Sequence, residues 1–342
     1  VIRKMEVLGK YVDEDGNIID ILTVELKKGH SIEWARTTQR NFIRRYLNGS
    51  RGELKDAALV AFYAEDSSDW RFSLIKMQYS LEKKADDLTP ARRFSFLVGQ
   101  DEKSHTAQNQ LARLVTLAGA PTLTEIESSF NIETVTKEFF EKYRELFLDL
   151  NEHIEKEIKK SKQLREEFEK EGIDSAKFSK KLLGQIVFLY FLQKKGWLGV
   201  PKNENWDKGD KHFLRTLLTQ SLEGKKNFFS DYLVYLFYEA LATEKRGSTD
   251  PSFYPKLNCR IPFLNGGLFE ADFNWKKIEI NLPNKLFTNK DESGEGDIGT
   301  GILDIFDRYN FTVKEDEPLD KEVAVDPEML GKVFENLLEI KD

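Results

Sequence analysis

The sequence predicts a mixed α/β domain followed by an α-helical domain. Apolar residues alternate with period two in several short runs before residue 99. The segment Gly119-Ala120-Pro121-Thr122 breaks this pattern. Beyond it, apolar residues recur every three or four positions, as they do on amphipathic helices. We therefore expect two domains, at residues 1–120 and 121–342.

The first domain is expected to contain strands around one helix. A hairpin is predicted from Met5–Val12 and Ile18–Lys28, which flank an Asp-Glu-Asp-Gly turn. Ser31–Leu47 follows with helical periodicity, and Ser31 is the predicted N-cap. Three further strands are predicted at 57–64, 70–80 and 93–98.

The second domain is expected to be helical throughout. One long amphipathic helix is predicted from Thr136 to about Lys170, and Phe178–Lys194, apolar on nearly all faces, predicts a central buried helix. Aromatic residues at helical spacing in 228–243 indicate core packing, with base stacking as the alternative. Further helices are predicted at 212–221, 228–243 and 327–339.

The composition of the 342 residues excludes several classes of protein. Hydrophobic residues make up 40% and aromatic residues 12%, enough to build sizeable cores. The single cysteine, Cys259, excludes an internal disulfide framework, and the four histidines lack metal-ligand spacing. No signal-peptide pattern is present, and the apolar run at 182–192 is too short to cross a bilayer. We expect a soluble cytoplasmic protein with no membrane partner.

The chemically most suggestive residues are Glu25 and Lys27. They lie two positions apart on a predicted strand, so their side chains should share one face of the sheet. Nucleases of the PD-(D/E)xK type hold a divalent metal and an amine beside a scissile phosphate in this way. The alternative is an ordinary half-buried strand with a solvent-facing Glu and Lys.

The surrounding segments resemble the N-terminal region of type IIG restriction-modification enzymes, in which a nuclease and an adenine methyltransferase share one chain. The resemblance lies in the order and spacing of segments along nearly the whole sequence. They include IDILTVELKKG, ARTTQRNFIRRYL, DAALVAFY, DWRFSLIKM, TPARRFSFLVG, IPFLNGGLFEAD and VDPEMLGKVFENLLE. The resemblance implies a PD-(D/E)xK restriction-endonuclease-like sheet domain, then a helical connector preceding a methyltransferase.

The methyltransferase itself is not expected within these residues. The Asn/Asp-Pro-Pro-Tyr/Phe loop and the Gly-rich S-adenosylmethionine turn are both missing. We therefore expect a fragment whose longer parent would bind S-adenosylmethionine and contain methyltransferase and target-recognition domains.

The resemblance implies a magnesium-dependent endonuclease acting on double-stranded DNA. Glu25, Lys27, Gln39 and Asp20 are the expected catalytic residues, with Glu25 and Asp20 as ligands of Mg²⁺. Asp20 has the opposite strand parity to Glu25 and would lie about 16 Å from it on a regular strand, so the second ligand is left open. The alternatives are Asp13 and Asp15 in the hairpin turn, Glu6 on the opposing strand, and an acid from before Val1.

DNA contacts are expected from the predicted helix despite the net charge of −7. Arg36, Arg40 and Arg44 share one helix face and could follow a phosphate backbone. The alternative function is a catalytically inactive DNA-docking or structural module of a DNA methyltransferase. A free-standing helical interaction protein is the third possibility.

Overall fold

A computed structural model provides the fold. It describes residues 1–33, 35–49, 55–78, 90–243, 250–264, 266–290, 299–312, 319–325, 327–328 and 331. Most of the helix predicted at 327–339 lies outside the described residues. Among the described residues, no helix is both long enough and apolar enough to span a bilayer.

The chain divides into two compact units. The first comprises Val1–Phe139 and the described part of Arg308–Leu338, and the second is built mainly from Phe140–Asp307. This division differs from the predicted boundary at residue 120 in two ways. The first unit extends further along the chain, and it also includes a later segment that contributes a strand.

The first unit is built on a six-stranded mixed sheet in the order β1-β2-β3-β4-β5-β8. The strands β1–β5 are Ile2–Val12, Ile18–Leu26, Ala57–Tyr63, Trp70–Met77 and Ala91–Val98, and β8 is Asp320–Glu322. Two strand pairs, β2 with β3 and β5 with β8, are parallel, and the other neighbours are antiparallel. The predicted mixed α/β class is thus confirmed, and so is the N-terminal hairpin.

Helix α1, Arg36–Leu47, makes the crossover between the parallel strands β2 and β3. It packs its apolar residues Ile43 and Leu47 against Leu22, Val24 and Leu26 of β2. The predicted start at Ser31 is wrong, because α1 begins five residues later. The hydroxyl of Ser31 instead accepts a hydrogen bond from the backbone of Glu33 in a local turn.

Two shorter helices, α2 at His105–Val115 and α3 at Leu123–Ser128, also belong to the first unit. Thr122 caps α3 through a reciprocal capping box with Glu125. Next to α3, Phe130 packs its ring against Phe72 and Phe96, which lie on the sheet face opposite to α1. Both faces of the sheet are therefore covered.

The remaining helices begin with α4, Ile132–Lys160, followed by α5, Lys162–Glu171. The single long helix predicted for 136–170 is interrupted at Ser161, whose side chain accepts from the backbone of Leu164 and caps α5. The predicted central helix is confirmed as α6, Ser175–Lys194, most of whose residues are buried.

The second unit continues with α7, Phe213–Glu223, and α8, Ile302–Phe306. Two π-helical segments, Phe229–Leu233 and Leu236–Leu241, replace the ordinary helix predicted at 228–243. Short 3₁₀ turns lie at 206–208, 255–257 and 284–286. The strands β6, Phe253–Tyr254, and β7, Cys259–Arg260, form a two-stranded sheet, and Val200 adds an isolated bridge to Arg260.

Candidate metal and DNA site

The two carboxylates expected to share a metal lie on opposite faces of β2. This strand pairs with β3 in unbroken register from Ile19 to Glu25, so its side chains alternate regularly. Asp20 has the parity of Leu22 and Val24, which face α1, whereas Glu25 has the opposite parity. The structure therefore does not bring Asp20 and Glu25 together on one face of β2, and their joint role as ligands of Mg²⁺ stays a prediction.

Asp20 is instead held by side chains near α1. Its Oδ2 accepts a hydrogen bond from the hydroxyl of Tyr46 and another from Nζ of Lys55, each at 2.5 Å. The contact with Lys55 is also an ion pair. The carboxylate is 1% exposed. Asp20 is thus a buried group that ties Tyr46 of α1 to the start of β2.

Glu25 finds a different carboxylate close by. Its Oε1 accepts from Nη1 of Arg3 at 2.5 Å, and Oε1 of Glu65 accepts from the same nitrogen at 2.5 Å. Glu65 lies two residues beyond the end of β3, and β3 runs parallel to β2. The carboxyl ends of neighbouring parallel strands meet at one edge of a sheet, so both acids reach a common point. We call Glu25 and Glu65 the strand-end carboxylate pair.

One lysine contacts this pair, and another lies close to it along the chain. Lys27 follows the last residue of β2 and is exposed, and Nζ of Lys28 lies 3.4 Å from Oε2 of Glu65. Hydrogen bonding and charge from Arg3, with a smaller contribution from Lys28, hold the pKa of Glu65 below its ordinary value. Glu65 is therefore ionised at neutral pH and able to bind a cation.

Gln39 is separate from the strand-end carboxylate pair. It is 0% exposed on α1, where its Nε2 donates to the carbonyl of Ile32 and its Oε1 accepts from Nη1 of Arg93. Because α1 covers the sheet face opposite to Glu25, the structure does not bring Gln39 and Glu25 together. The catalytic role of Gln39 stays a prediction.

Arg36 and Arg40, two of the three predicted DNA contacts, are buried in ion pairs with β8. Arg36 pairs with Glu322, and Arg40 pairs with Asp320. The two arginines are 7% and 9% exposed. Their guanidinium groups are therefore committed inside the protein, and the expected row of phosphate contacts on α1 does not form.

Two arginines from the sheet complete this group. Nη1 of Arg71 lies 2.8 Å from Oε2 of Glu322, and Nε of Arg93 lies 2.9 Å from Oδ1 of Asp320. Burial, with a further contribution from the charge of Arg71, lowers the pKa of Arg93 to about 9, so the group stays charged at neutral pH. We call this set the β8 ion cluster; its members are Arg36, Arg40, Arg71, Arg93, Asp320 and Glu322.

Arg44, the third predicted DNA contact, is half-buried, and its neighbour Arg45 is exposed. Both lie in the last turn of α1. The part of α1 that can reach a phosphate is therefore its C-terminal end.

The sequence reading missed Glu65, Asp320 and Glu322. Glu65 follows an apolar run, and an acid placed directly after a buried strand was the available signal. Asp320 and Glu322 gave no comparable signal, because a three-residue strand far along the chain has too few residues to show an alternating pattern.

Comparison with known proteins gives one informative relative. No protein-family model and no solved structure matches the chain. A protein of Methanocaldococcus jannaschii named "Putative type II restriction enzyme and methyltransferase" is 33% identical over 178 residues. The matched stretch covers 49% of this chain and 12% of the relative's length.

Proposed function

We propose that this chain is the magnesium-dependent DNA endonuclease portion of a restriction-modification enzyme. The observation that carries the proposal is the strand-end carboxylate pair, in which Glu25 and Glu65 converge on one cationic nitrogen. Lys27, two residues after Glu25, is exposed. The name of the M. jannaschii relative supports the same class of enzyme.

The strand-end carboxylate pair fits Mg²⁺ in donor type and in number. Mg²⁺ prefers hard oxygen ligands and is commonly held by one or two carboxylates together with substrate phosphates. The two oxygens each lie 2.5 Å from Nη1 of Arg3, so a single cation can touch both. No cluster of three or more metal-ligating side chains exists among the described residues, which fits a site completed by phosphate and water.

The side chains around the pair have distinct proposed roles. When bound, Mg²⁺ would act as a Lewis acid and lower the pKa of a coordinated water. Glu25 and Glu65 would hold the ion at the end of the sheet. Lys27 would place its ammonium beside the scissile phosphate and offset the charge that develops there. Arg3 would leave the carboxylates and pair with a DNA phosphate.

The wider proposal follows the resemblance found in the sequence. The first unit would be a PD-(D/E)xK domain of a type IIG enzyme, acting on foreign double-stranded DNA in the cytoplasm. Adenine methylation with S-adenosylmethionine, and base recognition, would belong to other domains of a longer polypeptide.

Metal binding and DNA cleavage test the proposal separately. Binding of Mn²⁺, as a stand-in for Mg²⁺, is measured by electron paramagnetic resonance on the wild type and on Glu25→Gln. Plasmid cleavage with and without Mg²⁺ is measured on the same proteins and on Lys27→Ala. Glu6→Gln and Lys10→Ala, changes at partly or fully exposed positions of β1, are the matched controls.

We expect Glu25→Gln to lose both Mn²⁺ binding and cleavage. Lys27→Ala should retain Mn²⁺ binding and lose cleavage, and both controls should behave as the wild type. Cleavage that persists in Glu25→Gln would refute the assignment.

The second candidate function is a catalytically inactive DNA-docking module. It is favoured by the occupation of the carboxylate pair by Arg3 and by the structural use of Gln39. DNA binding with neither Mn²⁺ binding nor cleavage would support this function over the nuclease.

A further inference from the structure

The second unit contains a cavity of about 480 Å³ whose lining combines apolar, aromatic and charged side chains. Phe229, Val234, Phe273, Ile278 and Ile280 are buried and supply apolar walls. Polar groups come from Ser230 and Glu239, and the exposed charged residues of the lining are Lys276, Lys277 and Glu279. Apolar walls with a few converging polar groups are typical of sites for small ligands.

One wall of the cavity depends on π-helical geometry. Ordinary α-helical spacing turns residues five apart to different faces, whereas i to i+5 hydrogen bonding brings them together. The lining residues follow the wider spacing, as Phe229, Val234 and Glu239 are each five apart, and so are Ser230 and Tyr235. π-Helical turns are rare and occur frequently at functional sites. The π-helical turns therefore place these five residues together along one wall of the cavity.

Two aromatic rings of the lining are only half-buried. The rings of Tyr235 and Trp275 meet edge to face with centroids 5.5 Å apart. The aromatic residues beside them, Tyr238 and Phe237, are buried and serve the core. Trp275 thus leaves part of its ring surface available to a flat ligand, whereas one face of Tyr235 is covered by the side chain of Lys256.

The charges around these rings have both signs. Nζ of Lys256 lies over the ring of Tyr235, and Nζ of Lys276 lies 5.4 Å from the ring centre of Trp275. Glu239, a half-buried carboxylate, lines the cavity from the π-helical side. A suitable ligand would have a flat ring to contact the aromatic side chains and an amine to donate a hydrogen bond to Glu239. It would also carry an anionic group to pair with the lysines.

We propose that this cavity binds an unpaired nucleotide whose base carries an exocyclic amine, as adenine and cytosine do. The base stacks on Trp275, as bases do on exposed aromatic rings in single-strand-binding proteins, and Tyr235, whose ring is nearly perpendicular to that of Trp275, contacts the edge of the base. Glu239 accepts a hydrogen bond from the base amine, and carboxylates select amino-bearing bases in this way. Lys276 and Lys277 pair with the phosphate. The site lies wholly in the second unit and is independent of the proposed nuclease.

Fluorescence anisotropy with labelled oligonucleotides tests the proposal. Oligodeoxyadenylate, oligodeoxycytidylate and oligothymidylate of equal length are compared on the wild-type chain. We expect the adenylate and cytidylate to bind more tightly than the thymidylate, which offers no exocyclic amine. Equal affinity for all three would overturn the proposal.

Three variants examine the separate contacts. Trp275→Leu should weaken binding by roughly tenfold. Glu239→Gln should abolish the preference over oligothymidylate, because an amide can donate as well as accept. The double variant Lys276→Ala/Lys277→Ala should weaken binding of every oligonucleotide and reduce its salt dependence.

Matched controls come from the same unit. Trp197 is 38% exposed and lies beneath Lys195, and it does not line the cavity. Trp197→Leu, and the double variant Lys160→Ala/Lys162→Ala at exposed lysines, should bind as the wild type. Equal loss in Trp275→Leu and Trp197→Leu would refute the cavity as the site, and circular dichroism checks that each variant is folded.

Competition with deoxyadenosine monophosphate identifies the source of the nucleotide. If the mononucleotide displaces oligodeoxyadenylate, a free nucleotide suffices for the cavity. If it does not, while binding of the oligonucleotide still requires Trp275, the cavity takes a base from a DNA strand.

Discussion

Glu25 and Glu65 accept hydrogen bonds from the same nitrogen, Nη1 of Arg3. Glu25 is the next-to-last residue of β2 and Glu65 follows β3, so the parallel pairing of these strands brings the two acids together. Two carboxylates that both contact one nitrogen would repel each other without a cation between them. The guanidinium of Arg3 supplies that cation, and a divalent metal in the same position would balance the charge more fully.

Glu65→Gln should weaken Mn²⁺ binding and slow cleavage, because it removes one oxygen ligand of the proposed metal. Asp20→Asn, at the carboxylate on the other face of β2, should leave Mn²⁺ binding by the folded protein unchanged. Electron paramagnetic resonance measures the binding. A larger effect from Asp20→Asn than from Glu65→Gln would restore the pairing first expected from the sequence.

Arg3→Ala should strengthen Mn²⁺ binding, because it removes the cation that competes for both carboxylates. It should also raise the pKa of Glu65, which Arg3 holds below its ordinary value. Protonation then begins at a higher pH, so the variant should lose Mn²⁺ on acidification earlier than the wild type does. Titration from neutral to acidic pH measures this shift, and weaker Mn²⁺ binding at neutral pH would contradict it.

Glu322→Gln should destabilise the first unit by about 3 kcal/mol, because it leaves buried guanidinium charge without its counter-ion. Glu322 is 5% exposed and pairs with both Arg36 and Arg71. Urea unfolding followed by circular dichroism measures the loss. Glu152→Gln, in an exposed ion pair with Lys156, is the control and should have little effect.

Arg44→Ala should weaken DNA binding and lower its salt dependence by about one unit of slope, as expected for one lost phosphate contact. Arg40→Ala should instead lower stability, since its partner Asp320 is buried. Binding to duplex DNA at several salt concentrations separates the two outcomes. Weaker binding by folded Arg40→Ala than by Arg44→Ala would show that the buried arginine is reached by DNA.

Much of the first unit could be predicted from the sequence because its signals are local. The turn before Ile18 and the alternation after it specify the hairpin, and the apolar stripe through Ile43 specifies α1. The parity of Asp20 and Glu25 was also readable, and it already indicated that these residues lie on opposite faces.

The partners of polar residues could not be read in the same way. Arg36 and Arg40 share a helix face, which fits either a DNA contact or a buried ion pair equally well. Their partners are Asp320 and Glu322, and nothing in the local pattern of α1 indicates a strand so far along the chain. The pairing of Glu25 with Glu65 was hidden for a related reason, since it depends on the parallel register of β2 and β3.

The position of β8 has a consequence for biosynthesis. The four arginines of the β8 ion cluster are translated well before Asp320 and Glu322, and the whole of Phe140–Asp307 is made in between. If the first unit folded before β8 was synthesised, it would bury these arginine charges without their counter-ions, which is costly in free energy. The ribosome must therefore release most of the chain before this sheet can finish folding. Until then its β5 edge is open, and chaperones have a defined interval in which to protect it.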